Sequence, residues 1–227
     1  MEKILQIISG IPLFQGLSPD ELAKIRRIAV DKFYGKDRTI FVEGDAGNGF
    51  YIVAEGRIKI FKVSLDGKEQ ILHIYGPGQP FGEVPVFSGK KFPASAQALL
   101  KSHLLFFPRD AFAELISSNP SLSMNMLAMM SMRLRQFTLQ VENLSLKEVP
   151  GRLASYLLVL AQEQQSDSRI SLPLSKGQLA SLLGTIPETL SRILAKMSGQ
   201  GLIQVDGAKI ELLNIEGLDA LSESGKL

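Results

Sequence analysis

The chain has 227 residues, 45% of them hydrophobic and 21% charged, enough for about two domains with real cores and too apolar for disorder. It contains no cysteine, which excludes disulfides, thiolate zinc sites and cysteine-ligated iron–sulfur clusters. A net charge of +2 is weak for a nucleic-acid binder, so any surface that meets phosphate must be a local patch. The opening MEKILQIISG lacks the long apolar core and cleavage site of a secretory signal, and no run approaches membrane-spanning length. A cytoplasmic protein without a membrane partner is the expectation.

In chain order, Ser18 and Pro19 open a short amphipathic helix over 18–30, SPDELAKIRRIAV. From Phe33 to Phe107 the texture changes to short apolar runs cut by glycine. FYIV, IKIFKV and QILHIY read as strands, and VEGDAGN, AEGR, LDGK, YGPGQPFGE and FSGKKFP as turns. Turn signals at a spacing of about 8–12 residues predict an antiparallel sandwich or barrel. Asp66-Gly67 marks a hairpin.

A long helix is predicted from about Pro120 to Lys147. Leu127, Met130, Leu134, Phe137, Val141 and Leu144 recur at alternating steps of three and four, an a/d seam that suits a parallel homodimer. Arg133, Arg135, Gln136, Gln140, Glu142 and Asn143 flank the seam. The alternative is a helix packed on its own barrel. Met124, Met126, Met129, Met130 and Met132 make the upper part soft and repackable, either as core filler or as an interface that shifts.

Val149-Pro150-Gly151 breaks this helix and starts another, RLASYLLVLAQEQQ, followed by the polar QSDSR. Ser175 with Gln178 forms a capping-box pattern ahead of Leu179, Ala180, Leu182 and Leu183. Gly184 ends that run, and Pro187 suits the first turn of a second helix with Leu190, Ile193, Leu194 and Met197 on its buried face. Glu188, Thr189, Ser191 and Arg192 are left on its outward positions, an acid, hydroxyls and an arginine suited to base edges in a major groove. LIQVDGAKIEL reads as a hairpin around Asp206-Gly207. Helix-turn-helix plus hairpin is a winged helix, which implies double-stranded DNA as a partner. A helical hairpin that only packs is the bland alternative. From Gly151 onward acids slightly outnumber bases, so phosphate contact falls to Lys176, Arg192 and Lys196, helped by Lys147 and Arg152. So small a patch needs two copies on one site.

These segments together resemble the cyclic-AMP receptor protein / fumarate-nitrate regulator (Crp/Fnr) superfamily over essentially the whole chain. Phe14-Gln15-Gly16-Leu17-Ser18 looks like its opening motif, and Val42-Glu43-Gly44-Asp45 and Tyr51-Ile52-Val53-Ala54-Glu55-Gly56 look like its β-roll turns. Gly82-Glu83 falls where its nucleotide pocket begins, and Glu188-Thr189-Leu190-Ser191-Arg192 matches its recognition helix. The implied fold class is α+β. An N-terminal antiparallel β-roll (cupin-like, cyclic-nucleotide-binding type) would span 1–118, a dimerisation helix 119–148 and a winged helix-turn-helix 149–227. The resemblance implies an inverted-repeat operator with TTGA-type half-sites, and RNA polymerase as a partner. Arg192 would donate a bidentate pair to guanine, Glu188 would accept from a cytosine amino group, and Ser191 would touch a neighbouring base. Pro187 stands where the cyclic-AMP receptor has an arginine, which points to the fumarate-nitrate branch.

The sensor departs from that pattern. A cyclic-nucleotide pocket needs a glutamate for the ribose, met by Glu83, and an Arg-Ser pair for the phosphate. Alignment puts Phe92 and Pro93 at the pair. No arginine is available there, and Lys90 or Lys91 would substitute only as point charges. Cyclic AMP is therefore not expected as the effector. QILHIYGPGQPFGEVPVF resembles the corresponding stretch of nitrosative-stress and denitrification regulators, several of which are thought to sense nitric oxide through haem. That makes haem a candidate cofactor and His73 its candidate ligand, ahead of His103. Covalent attachment is excluded because Cys-x-x-Cys-His is missing.

The expected function is a dimeric, effector-controlled transcription regulator. A ligand-binding regulator acting through protein partners is the alternative. No Ser/His/Asp set, metal cluster or phosphate loop supports an enzyme.

Overall fold

The structure is a computed structural model that describes residues 2–166 and 168–225. The chain divides between Leu134 and Arg135 into two compact units. In the first, α1 (Glu2–Ser9), a 3₁₀ turn (Pro12–Phe14) and α2 (Pro19–Ile28) precede the strands. Ser18 caps α2 as its sequence predicts: its hydroxyl accepts from the Glu21 N–H, and the Glu21 carboxylate accepts from the Ser18 N–H.

Eight strands follow: β1 (Val30–Tyr34), β2 (Thr39–Phe41), β3 (Gly49–Glu55), β4 (Ile58–Val63), β5 (Glu69–Tyr75), β6 (Pro80–Phe81), β7 (Ser95–Ala98) and β8 (Ser102–Pro108), with α3 (Val84–Ser88) between β6 and β7. They pair antiparallel in two four-stranded sheets, ordered β1-β8-β3-β6 and β2-β7-β4-β5. This is the expected β-roll. Strand β3 is buried on both faces, which explains the unbroken apolar run FYIV. Phe50, Ile52 and Ala54 join a core with α1, α2, α4 (Arg109–Ser117) and the start of α5 (Pro120–Leu146). Val53 and Tyr51 turn the other way, into the roll interior with Phe41, Tyr75, Phe81, Phe92 and Leu104. Gly56 turns β3 into β4 at φ 99°, and a Cβ there would lie 2.2 Å from the Ser102 hydroxyl oxygen.

Helix α5 is anchored on the first core by Leu122 and Met126, with Met129 and Met130 half-buried beside them. Met130, expected in the seam, therefore also serves its own domain. Leu127, Leu134, Phe137, Val141 and Leu144 are 41–69% exposed. Arg133 is not a solvent flank: its side chain is only 12% exposed.

The second unit holds α6 (Val149–Glu163), β9 (Arg169–Ser171), α7 (Lys176–Leu182), α8 (Pro187–Gly199), β10 (Ile203–Asp206), β11 (Lys209–Leu212) and α9 (Ile215–Ser224). The hairpin forms, but Asp206 pairs with Lys209, so Gly207 and Ala208 make the turn. Strand β9 adds to β11 as a third strand that begins at the last residue of the polar stretch QSDSR, whose Asp167 lies outside the described residues. Only Ile170 signals it, too little for a period of two. Helix α9 packs on α6, where Gly151 brings the backbones together: a Cβ on it would lie 2.6 Å from the Gly225 Cα.

Candidate DNA-reading surface and effector site

The Ser175 hydroxyl accepts from the Gln178 N–H at 3.2 Å, and the Gln178 amide oxygen accepts from the Ser175 N–H at 2.9 Å. That capping box starts α7, and buried Leu179, Ala180 and Leu183 pack it down. Helix α8 starts at Pro187 and is seated by buried Leu190, Leu194 and Met197, with Ile193 only half-buried. The opposite face presents Glu188, Ser191, Arg192 and Lys196 to solvent, with Thr189 half-buried at its edge. An Arg192 guanidinium N–H donates to the Thr189 hydroxyl at 3.1 Å, one helical turn back. Lys176 is exposed at the first position of α7. Thr189, Arg192, Ile193 and Lys196 line a hollow of about 340 Å³ with Glu148 and Pro150, at the start of α6.

Lys147 and Arg152, expected to help hold phosphate, have other partners. The Arg152 guanidinium donates to the Leu144 and Lys147 carbonyls at 3.2 Å, satisfying the C-terminal end of α5, and burial lowers its pKa. The Lys147 ammonium donates to the Ser155 hydroxyl at 3.3 Å. Sequence spacing cannot show this, because both residues look like exposed cations flanking a break.

In the β-roll, Phe92 is buried and lies flat on Phe41, ring centroids 3.7 Å apart. Its N–H donates to the Asp45 carbonyl and its carbonyl accepts from the Gly44 N–H, which fixes it over the turn between β2 and β3. Pro93, Lys90 and Lys91 face solvent, so neither lysine replaces the missing arginine. Gly82 bends the chain at φ 73°, and a Cβ there would lie 3.3 Å from the Phe92 ring. Gly82 and Phe92 thus come together around Phe41, while Pro93 does not join them.

Glu83 has an occupant that the sequence reading missed. Arg133 of α5 donates one guanidinium N–H to the Glu83 carboxylate and another to the Pro80 carbonyl. The guanidinium also lies over the Tyr75 ring, 5.0 Å from its centroid. The only signal in the sequence is an arginine one step before Leu134 in the seam. Burial pushes the Tyr75 phenol up to about 12. His73 stands next to Tyr75, ring centroids 4.5 Å apart, and burial followed by the Arg133 charge pushes it down to about 4. His103 is held elsewhere: its Nε2 meets Asp31 at 2.8 Å, and its ring stacks on Phe33. Among the described residues, no cluster of His, Asp and Glu could hold a metal ion.

A β-roll, a long helix and a winged helix-turn-helix define a DNA-binding regulator built on a nucleotide-sensing scaffold. The cyclic nucleotide-binding domain family matches residues 31–119, and the Crp-like helix-turn-helix domain family matches residues 151–221. The chain is 32% identical over 205 residues to the cyclic AMP receptor protein of Thermus thermophilus, covering 90% of this chain and 94% of that one. It is 30% identical over 217 residues to the CRP-like cAMP-activated global transcriptional regulator of Mycobacterium tuberculosis, covering 94% and 97%. The structure of FixK2 from Bradyrhizobium japonicum superposes with a TM-score of 0.76 at 26% identity, covering 86% of this chain and 97% of that one. The chain belongs to the Crp/Fnr family of transcription regulators, and it is a DNA-binding regulator rather than an enzyme. Among the described residues, no helix is long and apolar enough to cross a membrane.

Proposed function

We propose that the chain is a homodimeric regulator that reads an inverted repeat of TTGA-type half-sites, with the β-roll governing how its long helices pair. The observation that carries this reading is the face of α8, where Glu188, Ser191 and Arg192 project from a helix seated by Leu190, Leu194 and Met197. Arg192 reads guanine, Glu188 a cytosine amino group and Ser191 a neighbouring base, while Lys176 and Lys196 meet phosphate. Pairing through Leu127, Leu134, Phe137, Val141 and Leu144 supplies the second copy that so small a charge patch needs. Contact with RNA polymerase in the cytoplasm rests on the family resemblance.

Two relatives are named for cyclic AMP. The residues here do not fit that ligand: Phe92 fills the phosphate position and Glu83 is already paired with Arg133. Haem fits poorly as well. His73 is flanked by Tyr75 and Arg133, and the interior beyond is closed by Phe41, Phe81 and Phe92, which a porphyrin would have to displace. The likeness to nitrosative-stress regulators is carried by the roll segment QILHIYGPGQPFGEVPVF alone, and the packing of these rings does not support a haem site there.

Fluorescence anisotropy of the full chain on a duplex with two inverted TTGA half-sites, centred about 10 base pairs apart, tests the reading. Preference over a scrambled duplex should be about 10³-fold or more, unchanged by cyclic AMP. Leu134→Glu should halve the mass in sedimentation and abolish tight binding. Equal affinity for the two duplexes would sink the proposal.

A further inference from the structure

The turn that leads into α8 places an apolar side chain at the front of the helix. Ile186 is the N-cap of α8, in extended backbone at φ −109° and ψ 155°, and it is 49% exposed. Pro187 and Glu188 continue the exposed run. The backbone on either side is pinned. The Thr185 N–H donates to the Ala180 carbonyl at 2.9 Å, and the Ile186 carbonyl accepts from the Leu190 N–H at 3.0 Å. Pro187 further restricts Ile186 to the extended region, and branching at Cβ leaves it few rotamers. A side chain held this way loses little entropy when something packs against it.

Helix stability does not explain this residue. An N-cap favours Ser, Thr, Asp or Asn, and isoleucine is among the poorest choices. The helices before and after α8 in the chain follow the rule. Ser175 opens α7 and accepts from the Gln178 N–H, and Asn214 opens α9 and accepts from the Gly217 N–H at 2.7 Å. The Ile186 side chain caps nothing. Helix α8 therefore gives up a cap and shows a branched hydrocarbon at the end that would lead into a groove.

We propose that Ile186 is a base-reading residue that packs on the C5-methyl of a thymine in the half-site. That methyl is the one apolar group a base edge shows in the major groove, and the N-terminal residues of a recognition helix are the ones that meet base edges. The polar face of α8 assigns Arg192 to guanine and Glu188 to a cytosine amino group, with Ser191 on a neighbouring base. Those roles leave the thymine methyls of a TTGA-type half-site without an apolar partner, and Ile186 supplies one. The contact selects thymine over cytosine, whose edge carries an amino donor and no methyl. It adds no charge, so its contribution is independent of salt, unlike that of Lys176 or Lys196. This inference rests on the reading of the chain as a dimeric regulator of such an operator.

The test is a coupling cycle between the side chain and the methyl, run on the full-length protein. Operators with deoxyuridine in place of each thymine, one position at a time in both half-sites, are titrated by anisotropy against the parent and Ile186→Ala. Uracil keeps every hydrogen-bonding group of thymine and lacks only the methyl. At one position its loss should weaken the parent about fourfold per half-site, the worth of one buried methyl group, and about tenfold or more across the inverted repeat. Ile186→Ala should lose a similar factor on the thymine operator and nothing further from the uracil substitution, at low and at high salt alike. Ile186→Ser restores a capping hydroxyl, so it should melt at or above the parent temperature while losing the thymine preference. Deoxyuridine without effect at every position, an Ile186→Ala loss that is equal on both operators, or a lower melting temperature in Ile186→Ser would each overturn the proposal. The same titrations include a scrambled duplex. A parent that binds it as tightly as the operator would sink the DNA-reading proposal as a whole, whereas a preference that ignores the methyls would sink this contact alone.

Discussion

Phe92 lies face to face on Phe41, with ring centroids 3.7 Å apart and planes 6° apart, at the position where the sequence reading looks for an arginine. Both rings belong to one packed cluster with Phe81, Tyr75 and Val53, so the roll interior is an ordinary core. Phe92→Ala should therefore behave as a core truncation and cost the roll about 3–5 kcal/mol in urea unfolding. The same packing predicts no thermal stabilisation by cyclic AMP. A ligand present at about 100 times its Kd would add about 2.7 kcal/mol, an effect too large to miss in a melting curve. A melting temperature that rises with cyclic AMP would show that the stack opens.

Gly151 and Gly199 are both helical glycines, and the structure predicts opposite signs for Gly→Ala at the two sites. Alanine generally favours a helix by about 1 kcal/mol over glycine. At Gly199 a Cβ meets nothing within 4 Å, so Gly199→Ala should stabilise by about 0.5–1 kcal/mol. At Gly151 the new methyl would lie 2.6 Å from the Gly225 Cα and 3.1 Å from the Leu221 carbonyl oxygen. Both are backbone atoms that cannot swing aside. Gly151→Ala should push α6 from α9 and lose about 1–3 kcal/mol net, measured by urea unfolding of the second unit.

How legible each feature was depends on how local its cause is. The α7 capping box and the polar face of α8 follow from side chains three or four residues apart, so the pattern alone predicts them. The paired strands β3, β4 and β5 announce themselves by apolar runs and glycine turns. Strand β9 does not, because three residues with one buried isoleucine carry no period. Helices α1 and α9 carry their signal only as short apolar stripes near the chain ends, which the turn and motif arguments passed over. Arg133 was hidden for another reason. It sits between Met132 and Leu134 on a helix read for its apolar seam, and its partners Glu83 and Pro80 lie about 50 residues away in sequence. A long-range ion pair leaves no local trace.

On α8, Arg192 and Lys196 should separate into different roles. Arg192→Lys keeps the charge but loses the planar fork, so it should cost about 1–3 kcal/mol per half-site and relax the preference for guanine. Lys196→Ala should weaken binding to the operator and to random DNA alike, and flatten the salt dependence by about one phosphate contact per subunit. Thr189→Val removes the acceptor 3.1 Å from Arg192 and should give a milder version of the Arg192 phenotype. Affinities on single-base variants of the operator at two salt concentrations distinguish these cases. If Arg192→Lys lost affinity equally on all sequences, its role would be phosphate contact.

His73 gives the roll a stability that depends on pH, and the sign follows from its surroundings. Burial first, then the Arg133 charge, bring its pKa from 6.5 down to about 4. Between those values the unfolded chain takes up a proton that the folded chain refuses. Stability is therefore full above about pH 6.5, falls as the pH drops through the window, and loses no more from this group below about pH 4. The loss amounts to at most about 3 kcal/mol. Urea unfolding of the parent and of His73→Gln between pH 7.5 and 4.5 should give curves that converge toward acid, and parallel curves would mean that His73 does not stay neutral in the fold. Arg133 is one cause of the low pKa, so Arg133→Gln should narrow the window by raising the folded-state value. Glu83 would then face the roll without its cation, and its charge would hold the Tyr75 phenol higher still. One substitution on α5 would thus be read in the titration of a histidine on β5.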